Sequence, residues 1–363
     1  MRARMNVLII IIFYLGLITF GESNSNVLKI TDLLGRNLMV PNDVKRVVAA
    51  GPGALRILVY LNATDRIVGV EDFEKLRPYG RPYILAHQEL RDLPTIGPGG
   101  PGKLPNLEEI LKLKPDVIFM TYIDARIADN IQNKVKIPVV VLSYGSLKTF
   151  EDKALFDSLK LAGKILNEGD RAERIISFIM GIQKDLENRV KDSSGPTAYV
   201  GGIGYKGLHG IDSTKPNYPI FNVLKIKNVA SAIKEDHVFI DKEKLLVWQP
   251  DFIFVDEGGL NLVEKDYLEN PEFYEFLNAF KEKKIYGVLP YNYYTTNIGT
   301  VLANAYFIGK IAYPEYFEDI DPIKKADEIY KFLVGESVYN EMKKQFGGFG
   351  RLDLKKGSII PVR

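Results

Sequence analysis

Cysteine is absent from the 363 residues, which excludes disulfides, thiolate nucleophiles, Cys-based zinc sites and lipid attachment through an N-terminal Cys. Histidine is scarce. Only His87, His209 and His237 occur, too few for a His-rich catalytic metal centre. Neither sign of charge dominates: the formal net charge is +2, which gives no reason to expect nucleic acid or an acidic surface as the main partner. The chain has no G-x-S-x-G elbow, no H-E-x-x-H and no His–Asp–Ser set placed on strand ends. A catalytic reading has nothing to build on.

Long apolar runs are also missing, with one exception. Arg2 and Arg4 precede Val7–Phe20 (VLIIIIFYLGLITF), and Gly21-Glu22-Ser23 follow. A basic flank, an apolar block and small residues afterwards match a secretory signal. The block falls short of the roughly 20 apolar residues of a spanning helix. Residues 1–21 therefore read as a signal peptide or an uncleaved N-terminal anchor, and either puts the body of the protein outside the cytoplasmic membrane. The whole chain is 46% apolar and 26% charged, the composition of a folded globular protein. Its length suits two domains.

One stretch occurs twice. Leu104–Met120 reads LPNLEEILKLKPDVIFM, and Phe239–Val255 reads FIDKEKLLVWQPDFIFV, 135 residues on. Identical are Glu108/Glu243, Leu111/Leu246, Pro115/Pro250, Asp116/Asp251, Ile118/Ile253 and Phe119/Phe254. Asn106 and Asp241 suit an N-cap, and the glutamates stand in the first turn, where carboxylates favour the helix dipole. Each short helix must stop before Lys-Pro-Asp or Gln-Pro-Asp, because Pro disfavours helical conformation in its predecessor. The apolar run that follows reads as a buried parallel strand. Two similar α/β lobes are the simplest reading.

Along the chain, Leu28–Thr31 and Asn37–Val40 read as a hairpin turning at Gly35. Val44–Ala50 reads as a strand that breaks at Gly51-Pro-Gly53 into a helix, and Ile67–Val70 as a second strand. The proline-bearing segment Glu71–Gly102 reads as loop. Helices are expected over 125–134, 150–166 and 270–280, and Ile137–Leu142 as a strand. The longest helix, Asp170 to about Lys191, aligns Ile175, Ile176, Ile179, Ile182, Leu186 and Val190 on one stripe. In the second half Thr197–Val200 and Ile285–Leu289 read as strands, and Thr296–Ala312, Asp321–Val334 and Glu336–Phe346 as helices before an irregular tail. The division expected is an N-terminal lobe over 27–166, a joining helix over 167–192, a C-terminal lobe over 196–318 and a helical extension over 319–363. Two doubly wound α/β lobes, joined by a single long helix, result.

Ligands of open α/β sheets bind beyond the carboxyl ends of the strands. The loops there carry Arg56, Tyr122, Asp124, Arg126, Tyr144, Tyr205, Lys206, His209, Tyr218, Tyr291, Tyr293 and Tyr294. Clustered tyrosines line a site for a bulky, partly polar ligand. Two glycine motifs are decoys. Gly202–Gly207 (GIGYKG) fits G-x-G-x-x-G, but Gly210, Pro216 and Pro219 deny it the helix that a pyrophosphate needs. Gly97–Lys103 (GPGGPGK) lacks the Ser or Thr and the preceding strand of a phosphate loop.

The motifs Thr31-Asp32…Gly35-Arg36…Val40-Pro41, Arg46–Val48 with Gly51-Pro52, Arg66–Val70, Leu93-Pro94…Gly97, Pro105–Glu108 with Lys114–Asp116, and Gln249–Asp251 occur in an order that resembles the iron-chelate/vitamin B12 periplasmic-binding family. The resemblance covers roughly Leu28–Glu318. It implies a rigid bridging helix, a ligand cleft between the lobes and the role of an extracytoplasmic substrate-binding protein of an ABC importer. The partners it implies are a membrane permease dimer with its cytoplasmic ATPase and a small-molecule metal chelate (iron–siderophore, haem or corrinoid), carried as cargo with no resident cofactor. It also implies one glutamate per lobe that docks onto permease arginines, and these match Glu108 and Glu243, although both also favour their helix N-termini. Candidate ligand contacts are Arg56, Tyr122, Arg126, Tyr205, Lys206, His209, Tyr293 and Tyr294: the cations face an anionic chelate, the tyrosines form a platform, and His209 caps a vacant metal position. Gly53 and Arg56 depart from the polar or acidic residue that members often carry after the first strand, and the Gly201–Tyr218 loop is unusually rich in Tyr and Lys. Two alternatives stay open. A free-metal-ion binding protein would draw on His209, Asp124, Asp256 and Glu257. A chelatase or oxidoreductase on a related two-lobed fold would instead predict a cytoplasmic protein.

Overall fold

The computed structural model describes residues 26–76 and 78–362; the apolar block at 7–20 lies outside them. Strands β1 (Val27–Thr31) and β2 (Asn37–Pro41) form the hairpin. The N-terminal sheet follows, built of β3 (Val47–Ala50), β4 (Ile67–Gly69), β5 (Val117–Thr121) and β6 (Val139–Leu142) in the order β4-β3-β5-β6, all parallel. In the second half come β7 (Thr197–Gly201), β8 (Ser213–Thr214), β9 (Lys227–Asn228), β10 (Val238–Phe239), β11 (Phe252–Asp256), β12 (Ile285–Val288), β13 (Gly350–Asp353) and β14 (Ser358–Pro361). Their main sheet runs β14-β13-β12-β11-β7-β9, and its β9-β7-β11-β12 part is parallel.

The internal repeat therefore extends to topology. In each lobe the first strand lies between the second and the third, with the fourth beyond the third. The duplicated segments supply the third strand of each, β5 and β11. The repeated Pro-Asp pair does one job twice. Asp116 Oδ2 accepts the backbone N–H groups of Lys45 and Arg46 at 2.8 and 2.9 Å, just ahead of β3. Asp251 Oδ2 accepts the N–H and hydroxyl of Thr197, the first residue of β7, at 2.8 and 2.7 Å. Lys114 and Gln249, the residues before the prolines, both end their helices in the left-handed region, at φ 48° and 43°.

The helix Gly169–Arg189 runs between the two sheets in sequence and buries Ile175, Ile176, Ile179, Ile182 and Leu186, while Val190 closes its end. It packs on Lys153–Ile165 from the first half and on Ile298–Ala312 from the second. One apolar core thus runs from the N-terminal sheet through this helix into the C-terminal lobe. Each fully buried aliphatic side chain in it contributes about 1.5–3 kcal/mol. Among the described residues no helix is long and apolar enough to cross a membrane.

Four segments differ from the sequence reading. Glu71–Gly102 contains short helices at Asp72–Leu76 and Pro82–Ala86 and a 3-10 turn at Gln88–Asp92, all too short for a periodicity to show. Leu260–Glu269 is helical although Gly258-Gly259 precede it. The expected helix over 270–280 divides into Pro271–Phe276 and Asn278–Lys281, with Leu277 extended between them. The tail is ordered, not irregular: after the helices Pro322–Val334 and Tyr339–Phe346, β13 pairs antiparallel to β12 and β14 to β13, through a turn at Gly357 (φ +56°).

This extension touches both lobes. Val334 O meets His87 Nε2 at 2.9 Å, Gln345 Oε1 accepts Gly80 N–H at 3.0 Å, and Gly348 N–H donates to Glu257 Oε2 at 3.0 Å.

Removing the strand-start acceptor by Asp251→Ala costs about 1 kcal/mol of unfolding free energy. The Thr197 hydroxyl and N–H hold this carboxyl below its ordinary range. Its stabilisation is present above the unfolded-state value and is lost as pH falls through the lowered folded one. Urea melts between pH 7 and pH 3 should show a shallower acid-side loss in Asp251→Ala than in the wild type.

Candidate functional site

Between the lobes the chain builds a seam from the end of β3, the Glu71–Gly102 segment and the turn Pro290–Asn297 after β12. The helix Ala54–Tyr60 starts beyond Gly51-Pro-Gly53 and buries Arg56 completely. Its guanidinium crosses the seam. Nη1 donates to Thr296 O at 2.5 Å, and Nη2 to Tyr293 O at 3.0 Å, Tyr294 O at 3.1 Å and Thr295 O at 3.4 Å. The rings of Tyr83 and Tyr144 stand 4.9 and 5.7 Å from its carbon. Among the described residues no carboxylate lies within ion-pair distance of it.

The turn that Arg56 grips is strained. Tyr294 and Thr295 lie in the left-handed region at φ 53° and 66°. A β-branched residue there is a true outlier, costing about 1–3 kcal/mol that surrounding bonds must offset. Asn297 adds to the grip, its Nδ2 donating to Tyr291 O and Tyr293 O, both at 3.1 Å. Packing is close here. A Cβ built on Gly53 would meet Thr295 Cγ2 at 2.6 Å, and one on Gly80 would meet the Tyr293 ring at 2.5 Å.

Tyr294 plugs into the N-terminal lobe. Its hydroxyl donates to Glu71 Oε2 at 2.6 Å and accepts Gly100 N–H at 2.9 Å, so the glycine loop that mimics a phosphate loop receives a tyrosine instead. Glu71 Oε1 also accepts Gly51 N–H at 3.1 Å. Burial pushes the Glu71 carboxyl up to about 7, against the pull of these bonds. Beside it, Arg81 and Glu74 pair at 2.7 Å, both fully buried, and the Tyr83 hydroxyl reaches Glu74 at 2.8 Å. On the other side of the turn Asp256 is buried, with Oδ1 taking Gly258 N–H at 3.0 Å and Oδ2 unpartnered; burial raises it to about 7. Burial also holds the Glu257 carboxyl well above its usual range.

The sequence candidates divide into three places. Arg56, Tyr122, Tyr293 and Tyr294 meet at the seam. Tyr122, 63% exposed, stands at its mouth with its hydroxyl 2.6 Å from Thr295 Oγ1. The Arg56 η nitrogens and the Tyr294 hydroxyl are bonded across the lobes, while Arg56 Nε is buried and unpartnered, so neither side chain is the exposed cation or aromatic platform pictured from the sequence. Tyr205, Lys206 and His209 gather instead on the C-terminal lobe. Tyr205 stacks on His237 at 4.3 Å, His209 meets Phe239 edge-on at 4.7 Å, and Lys206 Nζ lies 5.3 Å from the Tyr205 ring centre. Asn292 ties this loop to the seam through Gly204 O at 2.7 Å. Arg126 stands apart from both groups, exposed on the first turn of the helix Ala125–Val135.

Of the four donors proposed for a free metal ion, Asp124 caps the helix Ala125–Val135. Among the described residues no three His, Asp or Glu side chains come together closely enough to hold a metal ion. Glu108 and Glu243 are both solvent-exposed at the first turns of their helices. Glu71, Glu74, Arg81 and Tyr83 escaped the sequence reading, because they sit in a segment with no periodicity; four charged or hydroxyl-bearing residues within thirteen positions around Pro78 and Pro82 were the available signal.

Because Glu71 binds its proton more tightly folded than unfolded, its contribution to stability is full below the unfolded value near 4.5 and falls as pH rises toward about 7. Glu71→Gln should reduce the downward slope of stability between pH 5 and pH 7.5, leaving a remainder from Asp256 and Glu257. Chemical denaturation across that range tests it; an unchanged slope would mean Glu71 is not the titrating group.

Residues 47–291 match the family model described as periplasmic binding protein. The molybdate-binding protein MolA of Haemophilus influenzae is 28% identical over 323 residues, covering 83% of this chain and 89% of its own. The solved structure of that protein with molybdate superposes with a TM-score of 0.66 at 24% identity, over 85% of this chain and 98% of that one. A periplasmic solute binding protein of Veillonella parvula gives 0.69 at 18% identity, over 88% and 97%. CeuE of Helicobacter pylori, with Ni(II) bound, gives 0.62 at 18% identity, over 88% and 99%. The chain belongs to the periplasmic binding protein family: it is the substrate-binding protein of an ABC importer, works outside the cytoplasmic membrane and is not an enzyme.

Proposed function

We propose that the cargo is a small tetrahedral oxyanion of the molybdate class, held at the seam between the lobes and passed to a permease that docks on Glu108 and Glu243. The observation that carries this reading is Arg56. A desolvated cation whose neighbours are carbonyl dipoles and ring faces, with no carboxylate partner, leaves a positive field in the seam. The neighbouring Arg81–Glu74 pair cancels itself. Glu71 and Asp256, both raised to about 7, add little negative charge below neutral pH. The hydroxyls of Tyr122 and Thr295, bonded to each other at 2.6 Å, leave one O–H at the mouth as a donor. The close approach of Thr295 and Tyr293 to Gly53 and Gly80 favours a small guest over a macrocycle. The molybdate-binding relative, similar over most of both chains, points the same way.

A metal chelate is the second reading, favoured by the face of Tyr205, His209, His237 and Phe239, with Tyr205 and Phe239 exposed, on which a planar ligand could lie. Calorimetry separates the two. Molybdate and tungstate should give saturable one-to-one binding, while ferric siderophores, haem and cobalamin give none. Saturation by a chelate with silence from every oxyanion would replace the first reading by the second.

For docking, the repeat offers one exposed carboxylate per lobe at matching positions. Asn106 Oδ1 accepts the N–H groups of Glu108 and Glu109 at 3.0 and 3.4 Å, and among the described residues the exposed Glu108 carboxylate makes no ion pair. Glu108→Lys with Glu243→Lys should abolish uptake into proteoliposomes that hold the permease, with molybdate affinity unchanged. A fall in affinity instead would assign the two glutamates to the fold.

A further inference from the structure

Arg126 left the seam, and its surroundings suggest another use. The start of the helix Leu107–Leu113 and the helix Ala125–Val135 enclose a groove of about 380 Å³ lined by Leu104, Leu107, Arg126, Ile127, Ile131 and Lys134. Its floor is apolar. Ile131 is buried, Leu107 and Ile127 are half-buried, and Leu104 is 48% exposed at the rim. Arg126 and Lys134, two turns apart on one helix, are exposed, and neither has an ion-pair partner among the described residues.

The groove lies on one lobe only and does not enclose a small guest as a seam between two lobes does. It adjoins Glu108, because Leu107 lines it and Glu108 is the next residue on the same first turn. One of these helices leads into β5 and the other follows it, so both begin at the carboxyl-end rim of the sheet, where Glu108 stands.

Resting on the docking reading above, we propose that this groove is the N-terminal lobe's contact for an extracytoplasmic loop of the permease, one that inserts an apolar side chain flanked by a carboxylate. The apolar floor would bury the side chain, Arg126 and Lys134 would meet the carboxylate, and Glu108 would pair with a cation alongside. Opposite charges in this alternation fix register and suppress wrong partners. Arg126 is then a partner-recognition residue rather than a cargo contact.

The test compares Arg126→Glu combined with Lys134→Glu, Arg126→Ala alone, Leu104→Ser and Glu108→Lys. Each is measured for binding of the cargo-free protein to the permease–ATPase complex in nanodiscs, for stimulation of its ATPase, and for molybdate affinity and unfolding temperature. The double charge reversal should weaken docking by roughly tenfold or more and Leu104→Ser by less, with folding and molybdate affinity at wild-type values. If the groove variants dock normally while Glu108→Lys does not, the groove inference fails and the docking reading stands. If Glu108→Lys also docks normally, both fail. A loss of molybdate affinity in Arg126→Ala would return Arg126 to the cargo site and overturn the inference.

Discussion

The seam depends on one guanidinium. Arg56 reaches out of the first helix of the N-terminal lobe and takes four consecutive carbonyls of a turn more than 230 residues further along the chain. A turn with two non-glycine residues in the left-handed region does not hold its shape alone. Five planar donors can satisfy so many acceptors from one point, whereas the compact ammonium of a lysine cannot. Tyr294 then follows from the grip: with its backbone fixed, its side chain enters the N-terminal lobe and finds Glu71 and Gly100. Charge field, strained turn and tyrosine plug form one arrangement.

Behind the seam stands a duplicated scaffold. Strand order, the helix ended by a left-handed residue before Pro, and the aspartate that receives the next strand's first N–H groups recur in both lobes. The lobes diverge where function enters. The N-terminal segment after its second strand buries Arg81 with Glu71 and Glu74, while the C-terminal lobe carries an aromatic and imidazole face of Tyr205, His209, His237 and Phe239. Symmetry marks the framework, and asymmetry the seam.

Much of the framework is legible in the sequence, because its signals are local. The stripe of Ile175, Ile176, Ile179, Ile182 and Leu186 announces its helix, and the runs ending at Met120 and Val255 announce buried strands. The seam is less legible. A buried arginine whose partners are main-chain carbonyls leaves no complementary acid to find, so Arg56 reads as a ligand contact. Tyr294 reads as a platform for the same reason: its partner Glu71 is 223 positions away in a segment without periodicity. The tail does carry a local signal: Leu352 and Leu354 alternate with charged residues before Lys355-Lys356-Gly357, the pattern of a hairpin.

The C-terminal segment carries a mechanical consequence. It is anchored at His87 and Gly80 on one side and at Glu257 and β12 on the other, so it spans the two halves like a strap. Separating the halves stretches every one of these anchors together with the Arg56 grip. Such a molecule is sprung rather than freely hinged. Opening the seam therefore means breaking the strap's bonds and the Arg56 bonds at once, not bending a single hinge.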